Sequence, residues 1–187
     1  MKYSILIALH DPENKVTGMT KACIDSIERN SKDYELLVLQ GDGHRKVSYT
    51  NELWKQAIGE YLILVGNDVI IDDKNWLEKL AIPDTITSAW IHPNHFNHEP
   101  FIDFALCCVP RNVLDKVGYL DEQFADGYGY DDNDWSHRAR LLNIPQVAIT
   151  VRATHVESGT YNVYFTKEEK KKLQDRNWEL YKLKWNL

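Results

Sequence analysis

The sequence predicts an α/β domain built on a doubly wound sheet with helices on both faces. Three observations predict it. The short apolar runs YSILIAL (residues 3–9), ELLVL (35–39) and YLILV (61–65) are too uninterrupted for strands with one wet face and suit strands covered on both. Two segments with apolar residues at helical spacing separate them. Each run ends in polar or glycine residues, at the carboxyl edge where sheets of this kind bind ligands.

Taken in order, Tyr3–Leu9 is the first strand, and Lys15–Asn30 reads as a helix with Met19, Cys23, Ile24 and Ile27 facing in. Glu35–Leu39 is the second strand, closed by the QGDG loop, and Tyr49–Ile58 is a helix that buries Leu53, Trp54 and Ala57. Tyr61–Val65 is the third strand, ending at Gly66-Asn67-Asp68. The second half is less regular. We expect a short helix at Trp76–Leu80, a loop over IHPNHFNHEP, a strand over Asp103–Pro110, and a short helix and turn over RNVLDKVGYLDEQF. A helix at Asp134–Leu142 and a last strand at Gln146–Val151 follow. The tail, Thr166–Leu187, reads as a helix with a Thr166/Glu169 capping box and a stripe of Leu173, Trp178, Tyr181 and Trp185. The expected organisation is one domain over residues 1–165 with the 166–187 helix packed on it. The KKK run beside large aromatics also suits a membrane surface, but the interleaved acids favour packing on the domain.

Composition narrows the function. With 43% apolar and 27% charged residues among 187, the chain is long and ordinary enough to bury a core. A net charge of −6 leaves no basic excess for coating nucleic acid. No apolar run reaches the length of a membrane span, and the N-terminus reads as a strand, not a signal peptide. Cys23, Cys107 and Cys108 form no metal spacing and cannot all pair, which points to a reducing cytoplasm.

Two carboxylate clusters carry the chemistry. Asp68, directly after a buried strand, stands where a hard cation is held against a ligand's phosphates; it equally suits a cap on the turn. In GYGYDDNDWSHR, Asp131, Asp132 and Asp134 crowd a helix start. Acids there complement the helix dipole, but three together also raise the pKa of at least one, as a general base requires. Tyr128 and Tyr130 beside them line sugar sites as readily as cores. His155 is a possible ligand for a divalent metal or a structural histidine. His92, His95 and His98 make a spaced array in a proline-bearing loop with no helix to align them on zinc. By its position, the loop from His92 to Asp103 is expected to help choose the acceptor.

Five stretches in order, YSILIALHDPE, CIDSIERNSKDYELLVLQGDG, TNELWKQAIGEYLILVGNDV, FALCCVPRNVLDKVGYLDEQF and GYGYDDNDWSHR, resemble the family 2 inverting glycosyltransferases of the GT-A fold, over residues 3 to about 165. The last is also similar to the GWGxEDxD stretch of galactosyltransferases that use UDP-galactose. The resemblance implies a Rossmann-like mixed sheet and transfer of a sugar from a nucleotide-diphosphate sugar, UDP favoured, to a hydroxyl of a carbohydrate or other acceptor, with Mn²⁺ or Mg²⁺ as cofactor. It implies that Asp132 is the general base and that Asp131, Asp134, Tyr128 and Tyr130 bind the acceptor. Leu9, His10, Gln40, Asp42, Asn51 and Asn67 would lie at the nucleotide, and Asp68 and His155 at the metal. Two positions depart from the pattern. Gly66 replaces the first acid of the DXD motif, and Gln40 stands where an aspartate reads the base, with Asp42 a second candidate for that contact. Two rival readings are a catalytically lapsed sugar- or nucleotide-binding module and a glycoside hydrolase with paired carboxylates, which would need neither metal nor nucleotide.

Overall fold

The computed structural model describes residues 1–41, 46–91, 102–156 and 159–187. Its elements are β1 (Tyr3–His10), α1 (Thr17–Asn30), β2 (Tyr34–Gly41), α2 (Lys46–Gln56), β3 (Tyr61–Val65), β4 (Val69–Ile71), α3 (Trp76–Leu80), β5 (Ile86–Ala89), β6 (Leu106–Pro110), α4 (Arg111–Val117), α5 (Asp131–Leu141), β7 (Gln146–Ile149), β8 (Ala153–His155), α6 (Gly159–Tyr164) and α7 (Lys167–Trp185).

The apolar runs are uninterrupted because alternate side chains enter two different cores. Tyr3, Ile5 and Ile7 of β1, with Ile63, Val65, Leu106 and Cys108, pack against Cys23 and Ile27 of α1 and Trp76, Leu77 and Leu80 of α3. Leu6, Leu62, Leu64, Cys107 and Val109 point the other way, towards Leu53 and Trp54 of α2, Val113 of α4, Trp135 of α5 and Tyr181 of α7. The six-stranded sheet has the order β2-β1-β3-β6-β5-β7. β1 runs parallel to β2 and β3, β6 runs antiparallel to β3 and β5, and β7 returns parallel to β5. This is the expected mixed sheet with helices on both faces. A separate two-stranded sheet pairs β4 with β8 and sets Val69 opposite His155.

Several boundaries differ from expectation for local reasons. α1 begins at Thr17, not Lys15, because the Asp11 carboxylate accepts the Val16 N–H at 3.1 Å and holds the entry as a loop. β6 begins at Leu106, not Asp103, because the Asp103 carboxylate accepts the Ala105 N–H at 2.8 Å and makes a turn. α5 begins three residues early, at Asp131. β4, β5, β8 and α6 were not expected; at three to six residues they are too short to show a period. The His92/His95/His98 array lies outside the described residues. Among the described residues, no helix is long and apolar enough to cross a membrane, and the three cysteines are buried and unpaired.

α7 fixes the start of α5. Asp134 is completely buried. Its Oδ2 accepts Arg138 Nε at 3.0 Å, and its Oδ1 accepts Trp185 Nε1 at 3.0 Å and Lys184 Nζ at 2.8 Å. Arg138 also donates to the carbonyls of Val117 and Tyr119. Asn177, likewise buried, donates to the carbonyls of Phe124 and Gly129. A Cβ on Gly127 would lie 2.0 Å from Asn177 Oδ1, so this corner must be glycine while α7 is docked. Tyr130 adopts φ 66°, a conformation unfavourable for a bulky side chain, and its ring packs against Trp178 and Tyr181 at 5.3 and 5.7 Å.

Removing the Asp134 carboxylate takes a buried acceptor from Arg138, Lys184 and Trp185, although Lys184 keeps its pairing with Asp121. Asp134→Ala is therefore expected to lose about 1.5–3 kcal/mol, the usual worth of hydrogen bonding to a charged group, read as a lower urea midpoint at unchanged slope.

Candidate active site

The carboxyl ends of β1 and β3 open into a cleft of about 290 Å³. Ala8, Leu9 and His10 from β1 and the turn Gly66-Asn67-Asp68 after β3 line one side. Tyr128, Asp131 and Asp132, at the start of α5, line another, with Asp103 near them. Lys46 and Thr50 of α2 and Thr160 and Tyr161 of α6 complete the walls.

On the strand-end side, Asp68 is buried, with its Oδ1 3.3 Å from His155 Nε2 and its Oδ2 accepting the Gly159 N–H at 2.9 Å. The β4–β8 pairing brings these two donors together, since Asp68 precedes β4 and His155 ends β8. A carboxylate oxygen and an imidazole nitrogen side by side at the cleft suit a divalent cation that takes its remaining ligands from phosphate oxygens and water. Among the described residues no group of three or more His, Cys, Asp or Glu side chains could form an all-protein cage. The Asn67 amide donates to Thr20 Oγ1 at 3.1 Å and accepts from Thr160 Oγ1 at 2.9 Å. At Gly66 an added Cβ would lie 2.7 Å from Asp68 Oδ1, so a side chain there would require the Asp68 carboxylate to shift.

The opposite wall is an electrostatic cluster. Asp131 and Asp132 are half-buried in the mouth of α5, and Asp132 Oδ1 accepts the Asn133 N–H at 2.9 Å. Desolvation, followed by the charges of Asp131 and Asp103, pushes the Asp132 carboxyl up to about 8, with Lys46 opposing. Desolvation also raises Asp131, against the pull of Lys46 and the N–H groups at the helix start. Lys46 loses hydration in the concave wall, yet Asp131, Tyr161, Asp132 and Asp103 together hold its ammonium above the usual range. Desolvation pushes the Tyr161 hydroxyl up to about 12, so it stays a neutral donor and acceptor.

Of the residues that the sequence points to, the cleft brings together Leu9, His10, Asn67, Asp68, Tyr128, Asp131, Asp132 and His155. Four do not line it, and each has a visible reason. Asn51 is buried with its amide bound to Leu120 and Glu122, tying α2 to the turn before α5. Asp134 is the buried anchor of α7, with both carboxylate oxygens engaged by Arg138, Lys184 and Trp185. Tyr130 turns into the Trp178–Tyr181 aromatic group. Gln40 donates to the Asp11 carbonyl at 2.7 Å and braces the loop beside the cleft. Asp42 lies outside the described residues. His10 meets Tyr164 edge-on at 4.9 Å and Phe165 face-on at 6.0 Å.

Sequence reasoning missed Lys46, Asp103, Tyr161 and the anchor formed by Asp11, which accepts from Thr17 Oγ1 and the Tyr164 hydroxyl. One signal was available. In GTYNVYF the rings of Tyr161 and Phe165 lie four positions apart, one turn of a helix, and they meet at 5.2 Å. Nothing in the sequence distinguishes Lys46 from any lysine at a helix start.

No protein-family model and no curated protein sequence matches the chain. Solved structures do. The catalytic domain of Drosophila beta-1,4-galactosyltransferase 7, in complex with xylobiose, superposes with a TM-score of 0.69 at 15% identity, over 94% of this chain and 80% of that one. A mannosyltransferase from Pyrobaculum calidifontis, in complex with GDP-Man and Mn²⁺, gives 0.68 at 12% identity, over 95% and 63%. GalNAc-T7 with UDP, GalNAc and Mn²⁺ gives 0.65 at 11%, over 83% and 44%. These are glycosyltransferases of one architecture, on which the α/β structure of this chain superposes over most of its length: the chain has the GT-A fold.

Proposed function

We propose that the chain is an inverting glycosyltransferase that moves a sugar from a nucleotide-diphosphate sugar, UDP being favoured, to an acceptor hydroxyl. One observation carries this reading. A metal-competent pair, Asp68 and His155, and a carboxyl held near neutrality, Asp132, line different walls of the same cleft. Similar folds give precedent for the donor: a mutant of the Drosophila galactosyltransferase 7 is complexed with manganese, UDP-Gal and xylobiose. The buried, unpaired thiols suit a reducing compartment, and we place the chain in the cytoplasm on that ground.

Mn²⁺ or Mg²⁺ bound by Asp68 and His155 would neutralise charge on the departing diphosphate. The protein's own part is as follows. Leu9, His10 and Asn67 form the wall against which the nucleotide lies, and Tyr128 and Asp131 hold the acceptor. Asp132 takes the proton of the acceptor hydroxyl, and that oxygen attacks the anomeric carbon. The bond from that carbon to the diphosphate oxygen breaks on the opposite face, so the configuration inverts. A pKa near that of the medium suits this step, because the base is then ionised often enough and still accepts a proton readily.

Calorimetric titration of UDP, GDP and dTDP with and without Mn²⁺ tests the donor site. The expected result is metal-dependent binding of one nucleotide that Asp68→Ala abolishes; no nucleotide binding under any condition would sink the proposal. Asp132→Asn should keep nucleotide binding while lowering turnover by about 10²–10⁴-fold, the usual worth of a positioned base. The base works only when ionised, so kcat/KM should rise with pH through a midpoint near 8 and level off above it. Asp103→Asn, which removes a repelling charge, should move that midpoint down, and Lys46→Met should move it up.

A further inference from the structure

A second cavity, of about 490 Å³, lies beside the cleft and takes no part in the reaction described above. It runs between the loop at Asp126 and the first half of α7, and its lining is Asp126, Phe165, Glu169, Lys172, Leu173 and Arg176. We propose that this groove is a carbohydrate subsite for the distal sugars of an extended glycan acceptor whose terminal residue sits at Tyr128 and Asp132. The inference rests on the transferase reading and adds the class of acceptor to it.

Continuity is the first argument. Asp126 faces the groove while its neighbours Ala125 and Gly127 line the cleft. On the other wall, Phe165 meets the Tyr161 ring at 5.2 Å, and Tyr161 meets the Tyr128 ring at 4.2 Å, so aromatic side chains run without a break from the groove to the acceptor end of the cleft. The backbone joins them too, since the Tyr128 N–H donates to the Leu173 carbonyl at 3.3 Å. The groove therefore lies next to the acceptor end of the cleft, across the Tyr128–Tyr161–Phe165 surface that an extended chain would follow.

Chemistry is the second. Two acids and two bases line the groove, so neither a polyanion nor a polycation is favoured. The surface the groove exposes is mainly apolar, and hydroxyl groups, which both donate and accept, suit the charged side chains that share its lining, Asp126, Glu169, Lys172 and Arg176. Phe165 and Leu173 supply the apolar surface that the C–H face of a sugar ring covers. Two of the polar groups are already fixed: Arg176 donates to the Gln123 carbonyl and to Asn177 Oδ1, and Glu169 is held in the capping box with Thr166. A ligand that meets prearranged partners loses less freedom on binding.

The test is retention of the protein, with UDP and Mn²⁺ present, on an array of defined neutral glycans from one to five sugars. Retention should increase with length to at least the trisaccharide. Lys172→Ala and Asp126→Ala should each weaken retention of the longer glycans by about tenfold, the scale of one hydrogen bond to a charged group, and leave the monosaccharides unaffected. Equal retention of short and long glycans, indifference to both substitutions, or retention of none would overturn the assignment. UDP titration of the same samples separates the two failures: a protein that binds UDP but no glycan loses only the groove, whereas one that binds neither loses the transferase reading as well.

Discussion

The buried carboxylate of Asp134 is the contact on which the rest of the site depends. It lies two residues beyond Asp132 on the same first turn of α5, and every hydrogen bond it accepts comes from a residue that must be placed for the cleft to exist. Arg138 couples it to the end of α4, and Lys184 and Trp185 couple it to the end of α7. The helix that presents Asp131 and Asp132 is thereby held from behind by a fully buried carboxylate whose cationic partners, Arg138 and Lys184, reach it from a partly exposed edge. A charge buried without such partners would not be tolerated, so helix, carboxylate and tail stand or fall together.

That arrangement also explains how the cleft keeps its two chemistries apart. Asp68 and His155 are brought together by backbone pairing of two three-residue strands; the Gly159 N–H donates to Asp68, and the Thr160 hydroxyl donates to the adjoining Asn67. Asp131 and Asp132 are set by a helix start whose preceding residue, Tyr130, is bent into the left-handed region. One side holds its carboxylate beside an imidazole. The other crowds its carboxylates with a third, Asp103, and desolvates them.

How much of this the sequence shows depends on the length scale of each signal. The three apolar runs and the stripe of α7 repeat over enough residues to be read, and so was the crowding of Asp131, Asp132 and Asp134. What escaped was either short or tertiary. β4 and β8 have three residues each, too few for a period, yet they bring His155 to Asp68. Asn51 and Asp134 have the residue types of ligands, and only the packed structure shows their side chains already bound to Leu120 and to Lys184. Lys46 gains its importance entirely from three carboxylates that come from 57 or more positions away, at Asp103, Asp131 and Asp132.

Gly66 has a consequence for the life of the metal. A side chain at this position would displace the Asp68 carboxylate from its present place, because an added Cβ would lie 2.7 Å from Asp68 Oδ1. On the proposed reading, then, the protein contributes a carboxylate and an imidazole, and the rest of the coordination sphere arrives with the nucleotide. A cation held by so few protein ligands would bind weakly to the protein alone, and its occupancy would follow that of the nucleotide whose oxygens complete its shell.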